Sequence, residues 1–309
     1  MSTWHLVDPA LRPALQSWTP STLNAEMLPA LREQRQQAAL DAMRVDDGLA
    51  LSMTEYFIGA QPVRVRVITP NTPRANRMGI LHFHGGGHLF GSPEQSRPTA
   101  ARHDCVVVSV DYRLSPETHF PGSLDDGYAA LVWMAEHAEA LGIDRANIGL
   151  MGDSAGAGVA AGLALLARDR NGPPLAFQNL MFPMLDDRTV TARDANPVTG
   201  EFIWTRENNA FGWRALLGCE PGSDGVSPYA APARAENLAG LPPTWIGVGT
   251  LDLFVDENIA YAQRLIRAGV RVEMNVWPGA YHGFSSDPQA DVALRARETR
   301  QAWLARVAG

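Results

Sequence analysis

The chain has 309 residues, 46% of them apolar and 19% charged, with a net charge of −7. That composition supports a large buried core and argues against disorder, and the acidic balance argues against a nucleic-acid partner. All 26 basic residues are arginine, which rules out a Schiff base, a Walker A lysine and a Ser–Lys dyad.

In chain order, the start Met1-Ser2-Thr3-Trp4-His5 has no basic stretch and no apolar stretch of a signal peptide. No apolar run is long enough to span a bilayer, so a cytoplasmic protein with no membrane partner is expected. Residues 8–44 read as helical pieces broken by Pro9, Pro13, Pro20 and Pro29. Val63, Val65 and Val67 alternate with Arg64 and Arg66, as in a strand with one wet face. Short apolar runs follow at Met78–His84, Cys105–Val110, Asn147–Met151, Ala176–Met181, Thr244–Val248 and Val270–Trp277. Helical stretches lie between several of them, at Ser123–Leu141, Ala155–Arg170 and Val255–Ala268, and a last helix covers about Gln289–Val307. Strands alternating with helices predict βαβ units and a doubly wound, mostly parallel sheet. Of the two cysteines, Cys105 lies in a buried strand and reads as a packed thiol; with Cys219 it forms no zinc pattern. Residues 184–234 break the alternation with Asp186-Asp187-Arg188, prolines, glycines and the aromatics Phe202, Trp204, Phe211 and Trp213. A stretch this long reads as a functional insertion or lid. The chain thus divides into an N-terminal helical segment (1–48), the first part of an α/β core (49–183), an insertion (184–234) and the rest of the core (235–309).

Four motifs carry chemistry. Gly152-Asp153-Ser154-Ala155-Gly156 fits G-x-S-x-G. It follows a strand and opens a small-residue helix, the order a nucleophile elbow needs; alone, it would read equally as an N-cap serine. His84-Gly85-Gly86-Gly87 follows an early strand. Bare glycine amides there, at Gly85 and Gly86, make an oxyanion hole with the amide of Ala155. The general base must come late in such a chain, and His282 in Gly279-Ala280-Tyr281-His282-Gly283-Phe284 follows the last strand, apparently at an exposed loop tip. Asp252 sits nearest the preceding strand end and is preferred over Asp256 for orienting the histidine. His82, His84 and His88 look like a metal cluster, but the glycines explain the loop and no carboxylate pattern completes a site. No metal or other cofactor is expected.

With these residues in place the chain resembles the bacterial hormone-sensitive-lipase-like carboxylesterases, over about residues 80–284. The matching segments are His84-Gly85-Gly86-Gly87, Asp111-Tyr112-Arg113-Leu114-Ser115-Pro116-Glu117, Gly152-Asp153-Ser154-Ala155-Gly156, Asp252-Leu253-Phe254-Val255-Asp256 and His282-Gly283-Phe284. The resemblance implies an α/β-hydrolase fold, a cap made from the N-terminal helices and the insertion, small-molecule ester substrates with short acyl chains, no cofactor, and a homodimer through an edge strand. It also implies that the Asp-Tyr-Arg-Leu segment is structural. His88 stands where the family often has a large aromatic, and Leu253 where it often has proline. Phe202, Trp204, Phe211, Trp213 and His88 are the expected substrate-binding residues. The intervals between the aromatics do not fit one helical face, so some line the pocket and the rest pack the cap. Three rivals stand beside an ester hydrolase: an aryl formamide or amide hydrolase with the same triad, a non-catalytic receptor on this fold, and an interaction protein using the aromatic insertion. Receptors of that kind lack the histidine that His282 supplies.

Overall fold

The computed structural model describes residues 2–44 and 48–307. Among them eight strands form one sheet: β1 (Leu51–Ile58), β2 (Val63–Pro70), β3 (Arg77–Phe83), β4 (Val106–Asp111), β5 (Ile143–Asp153), β6 (Phe177–Met181), β7 (Thr244–Gly249) and β8 (Val272–Trp277). Their spatial order is β1-β2-β4-β3-β5-β6-β7-β8. β2 runs antiparallel to β1 and β4, and every other neighbouring pair is parallel. The helices are α1 (Arg12–Gln16), α2 (Leu28–Arg44), α3 (Arg97–His103), α4 (Gly122–Glu136), α5 (Ala155–Asp169), α6 (Arg206–Leu217), α7 (Val255–Arg267) and α8 (Asp291–Val307).

The strand period of two sorts the central side chains into two cores. Val106, Val108 and Val110 of β4 join α4, α5 and α7 on one face, whereas Val107 joins α3 and α8 on the other. β3 does the same with Leu81 and Phe83 against Ile80. Both faces are covered, so these strands read in sequence as continuous apolar runs. Cys105 is fully buried, and burial pushes its thiol up to about 12.

Three differences from the sequence reading have plain causes. β1 carries no core pattern because it is an edge strand with six exposed residues. β5 begins at Ile143, four residues before the predicted start, in a stretch that is only partly buried. Pro9, Pro13 and Pro29 do not break helices. Each lies in the first two positions of a helical turn, where the missing N–H loses no bond.

Residues 184–234 hold α6 and several turns. Thr205 caps α6 by accepting from the Asn208 N–H at 3.3 Å, and Gly218 ends it in the left-handed conformation. Asn208 then reaches the N-terminal segment, accepting from the Leu23 N–H at 2.8 Å and donating to the Ser21 carbonyl at 3.0 Å. The two segments thereby meet in a helical cap region. The expected end of the first segment at residue 48 abuts residues 45–47, which lie outside the described residues. At the root of the insertion the fully buried Asp187 carboxylate accepts from Arg234 at 2.6 and 2.8 Å and from the Gly222 N–H at 2.6 Å. Among the described residues no helix is long and apolar enough to cross a membrane.

A buried carboxylate that loses its cation is left uncompensated. Arg234→Met should therefore lower unfolding stability by about 3 kcal/mol in urea titrations, with part recovered in the Asp187→Asn/Arg234→Met double variant. Equal stability of Arg234→Met and the parent would show that the pair contributes nothing.

Candidate active site

β5 ends at Asp153 and α5 begins at Ala155, so the chain turns at Ser154, with φ 56° and ψ −123°. A side chain seldom adopts this conformation, and the packing around it is tight. A Cβ on Gly156 would lie 2.3 Å from the carbonyl oxygens of Phe83 and His84, and one on Gly152 would lie 2.6 Å from Gly156. Glycine at both flanks lets the end of β3 lie directly against the turn.

His282 Nε2 is 2.9 Å from Ser154 Oγ, and its Nδ1 is 2.8 Å from Asp252 Oδ2. The carboxylate accepts from Nδ1–H and so fixes the tautomer in which Nε2 accepts the serine proton. The other carboxylate oxygen accepts from the Phe254 N–H at 2.9 Å. Asp252 is fully buried, and His282 is only 6% exposed. The exposed loop tip expected for His282 is thus corrected: Phe182, Phe254 and Trp204 surround its ring, with centroids at 4.7, 5.1 and 6.2 Å. Asp256 is exposed on the first turn of α7, where it accepts from Asn196 at 3.2 Å.

The glycine run starts where β3 ends. Gly86 and Gly87 have φ of 126° and 62°. Among the described residues nothing accepts from the N–H groups of Gly85 and Gly86. The loop is braced from behind. Tyr112 donates to the His84 carbonyl at 2.7 Å, its ring stacks on the His84 ring at 4.3 Å, and His84 Nδ1 donates to the Gly85 carbonyl at 2.9 Å. Arg113 in turn binds the buried Asp126 carboxylate at 2.7 to 3.0 Å, which gives the Asp-Tyr-Arg-Leu segment its structural task. The Trp204 indole closes the front: a Cβ on Gly87 would stand 2.1 Å from it.

The three histidines go to separate environments. His82 bonds Ser109 at 2.8 Å, His84 braces the loop, and His88 packs near Trp213 with neither ring nitrogen bonded. Burial pushes His82 down to about 4 and His88 to about 3, and it lowers His84 as well. Among the described residues no group of three His, Cys, Asp or Glu side chains is arranged to hold a metal ion.

Ser154 opens onto a mainly apolar cavity of about 290 Å³, walled by Trp18, Leu23, Leu31, Phe90, Ile203 and Trp204, with Arg35 and Asn208 also in its lining. Of the five residues expected to bind substrate, Trp204 is in this wall. Phe202 turns the other way, packing against Trp4, Trp18 and Tyr281, because the chain reverses at Ile203 with φ 63°. Trp213 is fully buried beside His88, and Phe211 packs on the cap's own core. His88 is enclosed under the glycine loop. The N-terminal wall residues were not anticipated, since single apolar residues among prolines carry no periodic signal. Glu257 and Asn258 were also missed. From the first turn of α7, Glu257 accepts from the Leu185 and Asp186 N–H groups at 2.7 and 3.2 Å, and Asn258 donates to the Pro183 carbonyl at 2.7 Å. Burial raises the Glu257 carboxyl well above its ordinary range.

A doubly wound sheet, a serine on a strained strand-to-helix turn, and a histidine and aspartate in hydrogen-bonded series define a serine hydrolase. Residues 80–286 match the family model described as alpha/beta hydrolase fold, and the chain belongs to that family. Carboxylesterase NlhH of Mycobacterium tuberculosis is 34% identical over 292 residues, which cover 90% of this chain and 88% of that protein. Esterase LipI of the same organism is 38% identical over 232 residues, covering 73% of this chain and 72% of its own length. The solved structure titled Bacterial Heroin Esterase matches with a TM-score of 0.90 at 38% identity, covering 100% of both chains. The protein is a carboxylic ester hydrolase.

The buried histidines set a pH dependence. Unfolded, they titrate near 6.5; folded, His88 and His82 titrate at about 3 and about 4. The unfolded state therefore binds more protons between these values, so stability is complete above pH 6.5 and is lost as pH falls toward 4. Near pH 5 unfolding should take up about two protons from this pair, read as the slope of urea stability against pH, and His88→Gln should reduce it by about one. A slope unchanged in that variant would mean His88 is not held neutral.

Proposed function

We propose that Ser154 is the nucleophile, His282 the general base and Asp252 the acid that orients it, with the Gly85, Gly86 and Ala155 amides as the oxyanion hole. The observation that carries this reading is the unbroken series from Ser154 Oγ through His282 to Asp252, at 2.9 and 2.8 Å, next to the Gly85 and Gly86 amides, which have no acceptor among the described residues. Ser154 attacks the ester carbonyl while His282 takes its proton. The carbonyl oxygen becomes an anion that the three amides stabilise. It collapses, the C–O bond breaks, and the alcohol leaves with the proton from Nε2. Water then repeats the sequence on the acyl-enzyme. We place the protein in the hormone-sensitive-lipase-like group, with 1–48 and 184–234 as its cap. The ordered motifs and the contact of Asn208 with Ser21 and Leu23 support this. The exposure of Val276 on the outer strand β8, with Ile259 and Ile266 on α7, supports a homodimer through that edge. The two free cysteines suit a reducing compartment such as the cytoplasm.

Ser154→Ala should fold and lose nearly all ester hydrolysis, and a fluorophosphonate should label the parent once, at Ser154. Asp252→Asn should lower kcat by up to ~10⁴ and Asp256→Asn far less. Labelling at another residue, or the reverse ranking of the two aspartates, would overturn the assignment.

The apolar cavity is small, so we propose that acyl chains of roughly two to eight carbons are preferred, each buried methylene adding up to ~0.8 kcal/mol until the space is filled. Across p-nitrophenyl esters of rising length, kcat/KM should climb, peak and fall. Trp204→Ala should move the peak to longer chains. An unmoved peak would exclude Trp204 from the acyl wall.

A further inference from the structure

We propose that the cavity on the α8 side of Ser154 receives a carboxylate-bearing half of the ester, making the substrate apolar on one side of the scissile carbonyl and anionic on the other. This rests on the reading of Ser154 as nucleophile and names the substrate class for it.

Ser154, Gly86, Phe90 and Arg35 line two cavities at once, so Arg35 stands at their boundary, whereas Arg297 and Arg300 line only the second. One is the apolar space already described. The other is larger, about 480 Å³, and runs toward α8. A carbonyl carbon held at Ser154 therefore has room for a substituent on each side. The charged side chains described in the second cavity are Arg35, Arg297, Arg300 and Asp153. Three cations face one carboxylate, in a chain whose net charge is −7.

The single carboxylate is already neutralised. Asp153 Oδ1 accepts from Arg300 Nη1 at 2.7 Å, and the other two Arg300 nitrogens donate to Asn179 Oδ1 at 2.5 Å and the Gly152 carbonyl at 3.2 Å. The uncompensated charge is that of Arg35 and Arg297. Arg297 uses only Nη1, on the carbonyls of Ser285 and Asp287, which leaves Nε and Nη2 without acceptors among the described residues. Arg35 is exposed on α2, where its guanidinium lies 5.7 Å from the centre of the Phe90 ring. It has no hydrogen-bond acceptor among the described residues. Ser92, also in the wall, is 4% exposed, and its hydroxyl has no partner among the described residues.

Guanidinium donors in excess and a buried, unbonded hydroxyl complement a carboxylate, which accepts several hydrogen bonds and carries the opposite charge. An alkyl chain in the same space would cover these donors and satisfy none of them.

The test uses the intact chain and two matched pairs of esters. p-Nitrophenyl hydrogen glutarate against p-nitrophenyl pentanoate places the carboxylate in the acyl half. 4-Carboxyphenyl acetate against 4-carbamoylphenyl acetate places it in the leaving group. After correction for alkaline hydrolysis, the anionic member of one pair should exceed its neutral partner in kcat/KM by about tenfold, a difference a charge-assisted contact can supply. With the acyl chain in the apolar cavity, the leaving-group pair is the one that should respond, and a response confined to the glutarate pair would overturn this placement. Arg35→Glu should abolish or invert that ratio, Ser92→Ala should reduce it, and salt at about 1 M should compress it in the parent. Ratios at or below one for both pairs, or a ratio that Arg35→Glu leaves unchanged, would overturn the proposal. If neutral esters are still hydrolysed by Ser154→Ala, the nucleophile is wrong; if Ser154 carries that hydrolysis and no anionic preference exists, only this inference fails.

Discussion

The molecule is organised by one strained turn, with Ser154 held at positive φ between β5 and α5. That conformation costs of order 1–3 kcal/mol and survives only where its surroundings leave no alternative. Here they are backbone on every side. The Ser154 N–H donates to Met181 at 2.9 Å, and its carbonyl accepts from Met184 at 3.1 Å. The ends of β3 press on Gly156. The helix that aims the serine also seats the cap: a Cβ on Gly158 or Gly162 would meet the carbonyl oxygen of Met184 at 2.3 Å or Tyr229 at 2.2 Å. One run of small residues thus fixes Ser154, the glycine loop and the insertion relative to one another. His88, Phe182 and Ile203 share the positive φ and lie around the same centre.

The electrostatics follow from that packing. Asp252 and His282 are enclosed by aromatic rings, so the imidazolium formed during the reaction meets its carboxylate with little solvent between them. Behind the oxyanion loop, burial keeps His82, His84 and His88 neutral. The loop gains its rigidity from stacking and neutral hydrogen bonds, through Tyr112 and His84.

The sequence carried the core and the order of the reactive residues, because both leave local marks. Buried parallel strands are apolar throughout, and a strand-to-helix turn this tight needs glycines where Gly152 and Gly156 stand. The surroundings of the site left no such marks. His282 sits between Tyr281 and Gly283 in a segment that looks like a surface turn, and only the fold brings Phe182 and Trp204 over it. Phe202 and Trp204 are two residues apart and face different cores because Ile203 reverses the chain, a backbone state no propensity assigns to a β-branched residue. β1 stayed hidden because an edge strand with a wet surface has neither alternation nor a continuous apolar run.

Asp187 and Arg234 tie the two ends of the insertion together within hydrogen-bond distance. Closing a segment at its base makes the length between the ties almost irrelevant to the body below, since closure entropy grows only with the logarithm of loop length. Residues 188–233 form, in this sense, a cassette. A change in the length of that stretch should leave the turn that carries Ser154 as it is.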